Sequence, residues 1–157
     1  MKRAGKVRDR WHNDIEFYQS KWKKTYDNLN ILCGKMNALI NNWQLFNDQA
    51  SHLEQWVEES SANLDDFEQK ITSTSIDELE KHLNTMKFFE NEISGKQAEF
   101  VSLNQIAEKL YIYLTPEGAS IIKEKLKIFK DQMTSISKRV QNQVNCIGLK
   151  IYSNQEI

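Results

Sequence analysis

Three histidines (His12, His52, His82), two cysteines (Cys33, Cys146) and two adjacent acid pairs (Glu58-Glu59, Asp65-Asp66) are the groups here with reactive or ligating chemistry. Metal binding needs two or more of them converging on one point. No histidine has a histidine or cysteine three or four positions later, so no helical face presents a pair of ligands. The two cysteines lie on separate segments without metal-like spacing, and free thiols are expected. Adjacent acids on a helix diverge by about 100°, so the pairs build no acid–base dyad and read as solvated faces. No Gly-rich phosphate loop, nucleophile elbow or diagnostic Cys–His pairing is present. The residues that could do chemistry therefore imply no catalytic, cofactor-binding or metal-binding role, and no enzyme is expected.

The elements that would position them carry the information instead. Alternating steps of three and four from Ile15 land on Tyr18, Trp22, Thr25, Leu29, Leu32, Met36, Leu39, Trp43 and Phe46. They continue through Ala50, Leu53, Val57, Ser60, Leu64 and Phe67 to Ile71, and only Thr25 and Ser60 are polar. One face of a single helix, from about residue 9 to residue 71, must then lie against partner helices. A seven-residue period held this long implies left-handed supercoiling. A proline at Leu39 or Ile40 is expected to break that helix, at about 3 kcal/mol or more.

Thr72, Ser73, Thr74 and Ser75 read as a turn, with Ser75 and Glu78 as a capping box. A second segment carries Ile76, Leu79, Leu83, Met86, Ile93, Phe100, Ala107, Tyr111 and Leu114. Phe89, Leu103, Ile106 and Leu110 lie one position off that register, so its buried face widens or drifts, and Gly95 suggests a bend. Thr115-Pro116-Glu117 holds the single proline and starts a third helix, in which Ala119, Ile122, Leu126, Phe129, Met133, Ile136 and Val140 repeat the period. Gly148 is expected to help end it. Short connections between long helices make neighbours antiparallel, which gives an all-α, up-down-up three-helix bundle.

Composition agrees. One proline and five glycines among 157 residues favour long helices, and 27% charged residues nearly cancel to a net charge of -1. That balance argues against nucleic acid as a partner. No apolar run is long enough for a transmembrane segment. The basic start (Lys2, Arg3, Lys6, Arg8, Arg10) lacks the hydrophobic core of a secretory signal and reads as a solvated tail over residues 1–7. Phe46, Leu53, Trp56, Phe67, Phe100, Leu103, Leu126, Phe129 and Met133 are the expected core. Trp56, one position off the stripe, is expected to wedge between two partner helices.

The stretch from Phe46 to Glu59, with an aromatic ten residues before Trp56-Val57 and acids after them, resembles the first helix of a spectrin repeat. Phe100 to Leu110, with Val101, Leu103-Asn104, Ala107 and Leu110, is similar to the second helix. Ile122, Leu126, Phe129, Met133, Arg139 and Val140 resemble the third, where the family often has tryptophan at the place of Phe129. Trp22 precedes Trp56 by 34 residues, which resembles the spacing of tandem repeats. The resemblance implies a spectrin-like left-handed bundle over residues 42–151. It makes 8–41 the late part of the third helix of a preceding repeat, extending the first helix. Residues 152–157, past the last periodic positions, are expected to be a frayed tail.

On that resemblance the chain is a spacer and interaction module of a cytoskeletal linker of the spectrin, dystrophin, nesprin or plakin kind. Its place would be cytoplasmic, at the cytoskeleton or, through a parent protein, at the nuclear envelope. Its partners would be neighbouring repeats and cytoskeletal or scaffold proteins. Ile15, Tyr18, Trp22, Leu29 and Leu32 would form an uncovered stripe, hence the candidate interaction site. The alternative is an adaptor that forms a homo-oligomer through that stripe. A bundle enzyme or membrane-remodelling bundle would show a polar cluster in the core or a concentrated basic face, and the core positions Asn104 and Ser60 are too few and too separate.

Overall fold

The computed structural model describes residues 2–72 and 75–155, apart from the side chain of Lys2. Three α-helices account for nearly all of it: α1 (Lys2–Lys70), α2 (Ile76–Tyr111) and α3 (Pro116–Gln155). The chain divides into two compact units, Met1–Asn41 and Asn42–Ile157. The expected turn residues Ser73 and Thr74, and the tail residues Met1, Glu156 and Ile157, lie outside the described residues.

In the second unit, side-chain pairs fix the topology. Lys125 Nζ lies 3.8 Å from Glu54, and Arg139 donates to Glu68 at 3.2 Å, so later residues of α3 meet later residues of α1. These two helices run parallel. Phe67 near the end of α1 sits edge-on to His82 near the start of α2, with ring centroids 5.0 Å apart. Lys123 near the start of α3 lies over the ring of Tyr111 at the end of α2, at 5.1 Å. Helix α2 therefore returns antiparallel to both neighbours.

The core between the three helices is apolar. Phe46, Ala50, Leu53, Trp56, Val57 and Leu64 are buried on α1. Leu79, Met86, Ile93, Leu103, Ile106, Ala107 and Leu110 face them from α2, and Ile122, Leu126, Phe129, Met133, Ile136, Val140 and Ile147 from α3. Each fully buried aliphatic or aromatic side chain contributes on the order of 1.5–3 kcal/mol through loss of hydrated apolar surface. Along α2 the buried positions step by sevens from Leu79 to Ile93, then shift to Leu103, Ile106 and Leu110. Ala107 keeps the register of Leu79, and Leu103 and Leu110 are themselves seven apart, so the buried face widens toward the end of α2.

The helix ends differ from expectation in three places. Ser75 takes the N-cap of α2 with extended backbone (φ -71, ψ 129), but its side chain makes no cap hydrogen bond. The first turn closes instead through Leu79 N donating to the Ser75 carbonyl at 3.0 Å. Residues 2–7, expected as a tail, are helical, since this lysine- and arginine-rich stretch extends an existing helix at little cost. Gly148 does not end α3, which continues to Gln155. Thr115 does cap α3: its Oγ1 accepts from Gly118 N at 3.2 Å, with Pro116 at the first helical position.

Gly95 makes no break either, because α2 passes through it without positive φ. A Cβ built there meets nothing within 4 Å. Gly95→Ala is therefore expected to stabilise the bundle by about 0.5–1 kcal/mol, read as a higher urea midpoint at unchanged m-value. A lower midpoint would mean that α2 needs its glycine.

Candidate interaction surfaces

The residues singled out for chemistry are dispersed. His12 Nε2 lies 3.2 Å from Glu16 on the exposed helix surface. His52 is exposed, and His82 serves as the edge partner of Phe67. Cys33 and Cys146 are free and exposed. Among the described residues, no three His, Cys, Asp or Glu side chains are grouped to hold a metal ion. No helix among them is long and apolar enough to cross a membrane.

The acid pair Asp65-Asp66 illustrates how helical geometry separates neighbours. Asp66 accepts from Lys70 at 2.7 Å on its own helix. Asp65 points the other way and accepts from Arg139 Nη2 at 2.6 Å. Glu68 takes Arg139 Nε and Nη2 at 3.2 and 3.1 Å, and Ser61 lies 3.5 Å from Nη1. Asp65 is thus part of a clasp between α1 and α3 and not merely solvated. The hydrogen bonds that Arg139 donates to Glu68, joined by the one to Asp65, raise its pKa above the ordinary value against the opposing effect of burial. Arg139→Met keeps the aliphatic stem and removes the fork. It is expected to lower stability by about 1 kcal/mol, with the loss shrinking at high salt because the carboxylates stay solvated. A loss independent of salt would assign Arg139 a packing role instead.

The expected core residues occupy two kinds of place. Phe46, Leu53, Trp56, Leu103, Leu126, Phe129 and Met133 are buried. Phe67 and Phe100 are half-buried, Phe67 at the α1 end beside His82 and Phe100 on the edge of an α2/α3 groove. Ser60 is buried, while Asn104 is half-buried and donates from Nδ2 to the Phe100 carbonyl at 2.8 Å. Among the described residues, the buried polar atoms Trp56 Nε1 and Gln49 Oε1 have no hydrogen-bond partner.

In the first unit the large apolar side chains are open to solvent, apart from the half-buried Leu39. Trp22 is 75% exposed and Trp11 68%, and Ile15, Tyr18, Leu29, Leu32 and Met36 are each more than half exposed. Tyr18, Lys21, Trp22 and Thr25 border a shallow depression. Phe17 packs edge-on to Tyr18 with centroids 5.5 Å apart, and Lys21 sits 5.2 Å above the Phe17 ring. A run of this size and spacing is the kind of surface that marks an interaction site.

Grooves flank the bundle of the second unit. One between α1 and α3, about 400 Å3, is bordered by Glu54, Glu58 and Glu124 with Ile121 and Ile128. Lys125 crosses it, pairing with Glu54 and lying 5.8 Å from the Phe129 ring. Another, between α2 and α3, is about 410 Å3 and is bordered by Phe100, Asn104 and Tyr111 on one side and by lysines on the other. Burial, and secondarily the charge of Glu108, raises the Tyr111 pKa above its ordinary value, so this phenol contributes no charge near neutral pH.

Comparison with known proteins agrees with the bundle. The sequence model of the spectrin repeat matches residues 41–145. The chain is 30% identical over 144 residues to the Muscle-specific protein 300 kDa of Drosophila melanogaster, covering 92% of this chain and 1% of that protein. It therefore spans a very small part of the length of this relative. No solved structure matches it. With the family match covering most of the chain and three helices disposed as such a repeat requires, the chain belongs to the spectrin-repeat family, a structural all-helical module.

Proposed function

We propose that this chain is a spacer and protein-interaction segment of a cytoskeletal linker protein. Residues 42–151 act as one repeat, and residues 8–41 act as the third helix of a preceding one. The stripe Ile15, Tyr18, Trp22, Leu29 and Leu32 is covered by two helices of that neighbouring repeat.

One observation carries the reading. The match to the Drosophila protein spans 144 of 157 residues, while the second unit holds 157 − 41 = 116. At least 144 − 116 = 28 residues of the first unit therefore share the similarity. The similarity thus reaches beyond the repeat into the first unit and lies within a far longer protein, which supports a neighbouring segment as the cover of the stripe. Apolar side chains placed at helical spacing lower the free energy only when something covers them. The relative's name places it in muscle, which supports a cytoskeletal setting for this chain.

The test is hydrogen exchange on this chain alone and on a fusion to the stretch that precedes the matching segment in the Drosophila protein. Amides of residues 15–36 should exchange rapidly in the first and gain protection in the second. Unchanged exchange in the fusion would refute the tandem arrangement. The exposed stripe also suits a self-associating adaptor. That reading takes over if sedimentation shows a dimer that Trp22→Ser with Leu29→Ser abolishes.

A further inference from the structure

The α2/α3 groove of the second unit has an arrangement that the repeat itself does not use. Lys123, Lys127 and Lys130 line its α3 side, at i, i+4 and i+7. That spacing puts three ammonium groups on one helical face over about 10 Å of helix length. All three are exposed, and among the described residues none has a carboxylate within ion-pair distance. Lys123 has only the ring face of Tyr111 as a neighbour for its charge. The opposite wall carries no charge: Phe100, Asn104 and Tyr111 come from α2, and Leu126 lies at the base. Glu124 and Asp131 lie about 80–100° round α3 from Lys123, and Asp131, four residues after Lys127, flanks the outer side of the lysine face, while Glu124 borders the other groove. Glu108 on α2 acts on Tyr111 from the other side of the groove.

We propose that this groove docks an acidic amphipathic helix of a partner protein. The charge pattern selects the occupant. Carboxylates repeating every three to four residues along a partner helix meet the three lysines in register, while its apolar edge rests on Phe100 and Tyr111. An anionic membrane is flat and reaches the lysine tips but not the groove floor. Three lysines are also fewer than the clusters that hold a protein to an anionic membrane. The proposal uses only the second unit, so it stands or falls independently of the tandem arrangement.

The probe is a fluorescein-labelled helical peptide with leucines on one face and glutamates along its edge, compared with the same peptide carrying glutamines. Anisotropy should show binding of the glutamate peptide to the full chain, weakening as salt rises. Replacing Lys123, Lys127 and Lys130 together by glutamine should weaken it by about tenfold, as three solvated pairs would. The three side chains are exposed, so circular dichroism and the urea midpoint should be unchanged in this variant. The glutamine peptide should lose affinity to the same extent. In NMR titration the side-chain amide of Asn104, on the groove wall, should shift with the glutamate peptide. Equal affinity for the lysine variant, no binding of the glutamate peptide, or binding that leaves Asn104 unmoved would each overturn the proposal. Binding to vesicles of equal parts phosphatidylcholine and phosphatidylserine, without binding of the peptide, would replace the partner helix with a lipid surface.

Discussion

Trp56→Ala should lower the unfolding free energy by about 3–5 kcal/mol, the loss typical of removing a large aromatic from a closed core. Trp56 is 8% exposed and sits on α1 among Leu53, Val57 and Ser60, all buried. A domain of this size holds a total of about 5–15 kcal/mol, so the variant gives up a large fraction of its stability. Phenylalanine at the same position should behave differently. The indole Nε1 is buried without an acceptor. Leaving such a donor unpaired costs about 1–3 kcal/mol, and Trp56→Phe removes that penalty together with part of the ring. The phenylalanine variant is therefore expected to lose less than half of what alanine loses. Urea unfolding followed by circular dichroism measures both. An alanine variant within about 0.5 kcal/mol of the parent would show that position 56 behaves as surface.

The second large effect concerns the helix on the N-terminal side of the repeat. Leu39→Pro removes the backbone N–H that bonds to the Lys35 carbonyl and pushes the ring against it, at a cost of about 3 kcal/mol or more. In the first unit the large apolar residues before the half-buried Leu39 are exposed, so packing contributes little to holding that stretch helical. Helicity there depends on propagation along α1, and a proline interrupts propagation. The expected result is a loss of helical signal from residues 2–38, while the unfolding midpoint of the bundle core stays near that of the parent. Two outcomes would contradict this. Full retention of helicity would mean that residues 2–38 are secured by other contacts. A large fall in the midpoint would mean that the repeat draws stability from them.

Heptad spacing alone identified which face of each helix is apolar. Phe46, Leu53, Leu126, Phe129 and Met133 follow from it and are buried. Thr115 and Pro116 marked the start of α3 for the same reason, since capping and proline geometry involve only adjacent residues. Where the reading depended on how far one helix slides past another, the sequence was silent. Phe67 and Phe100 satisfy the spacing yet are half-buried, because their places along the bundle put them at an edge. Gly95 and Gly148 looked like interruptions, but a glycine inside a long helix lowers stability without dictating a bend.

The exposed tryptophans of the first unit could be read from sequence as apolar, but nothing in the pattern says what covers them. A period of seven records that a face needs a partner and leaves the identity of that partner open.

What the chain determines locally, then, is periodicity, caps and the polarity of each face, because these arise from residues within one or two turns of each other. Tertiary structure decided the rest. Arg139 meets Glu68 across 71 residues of chain. Lys123, Lys127 and Lys130 face Phe100 and Tyr111 only because α2 and α3 pack at one particular offset. That offset is chosen by the fit of the whole core, a sum over many weak contacts that no local motif contains.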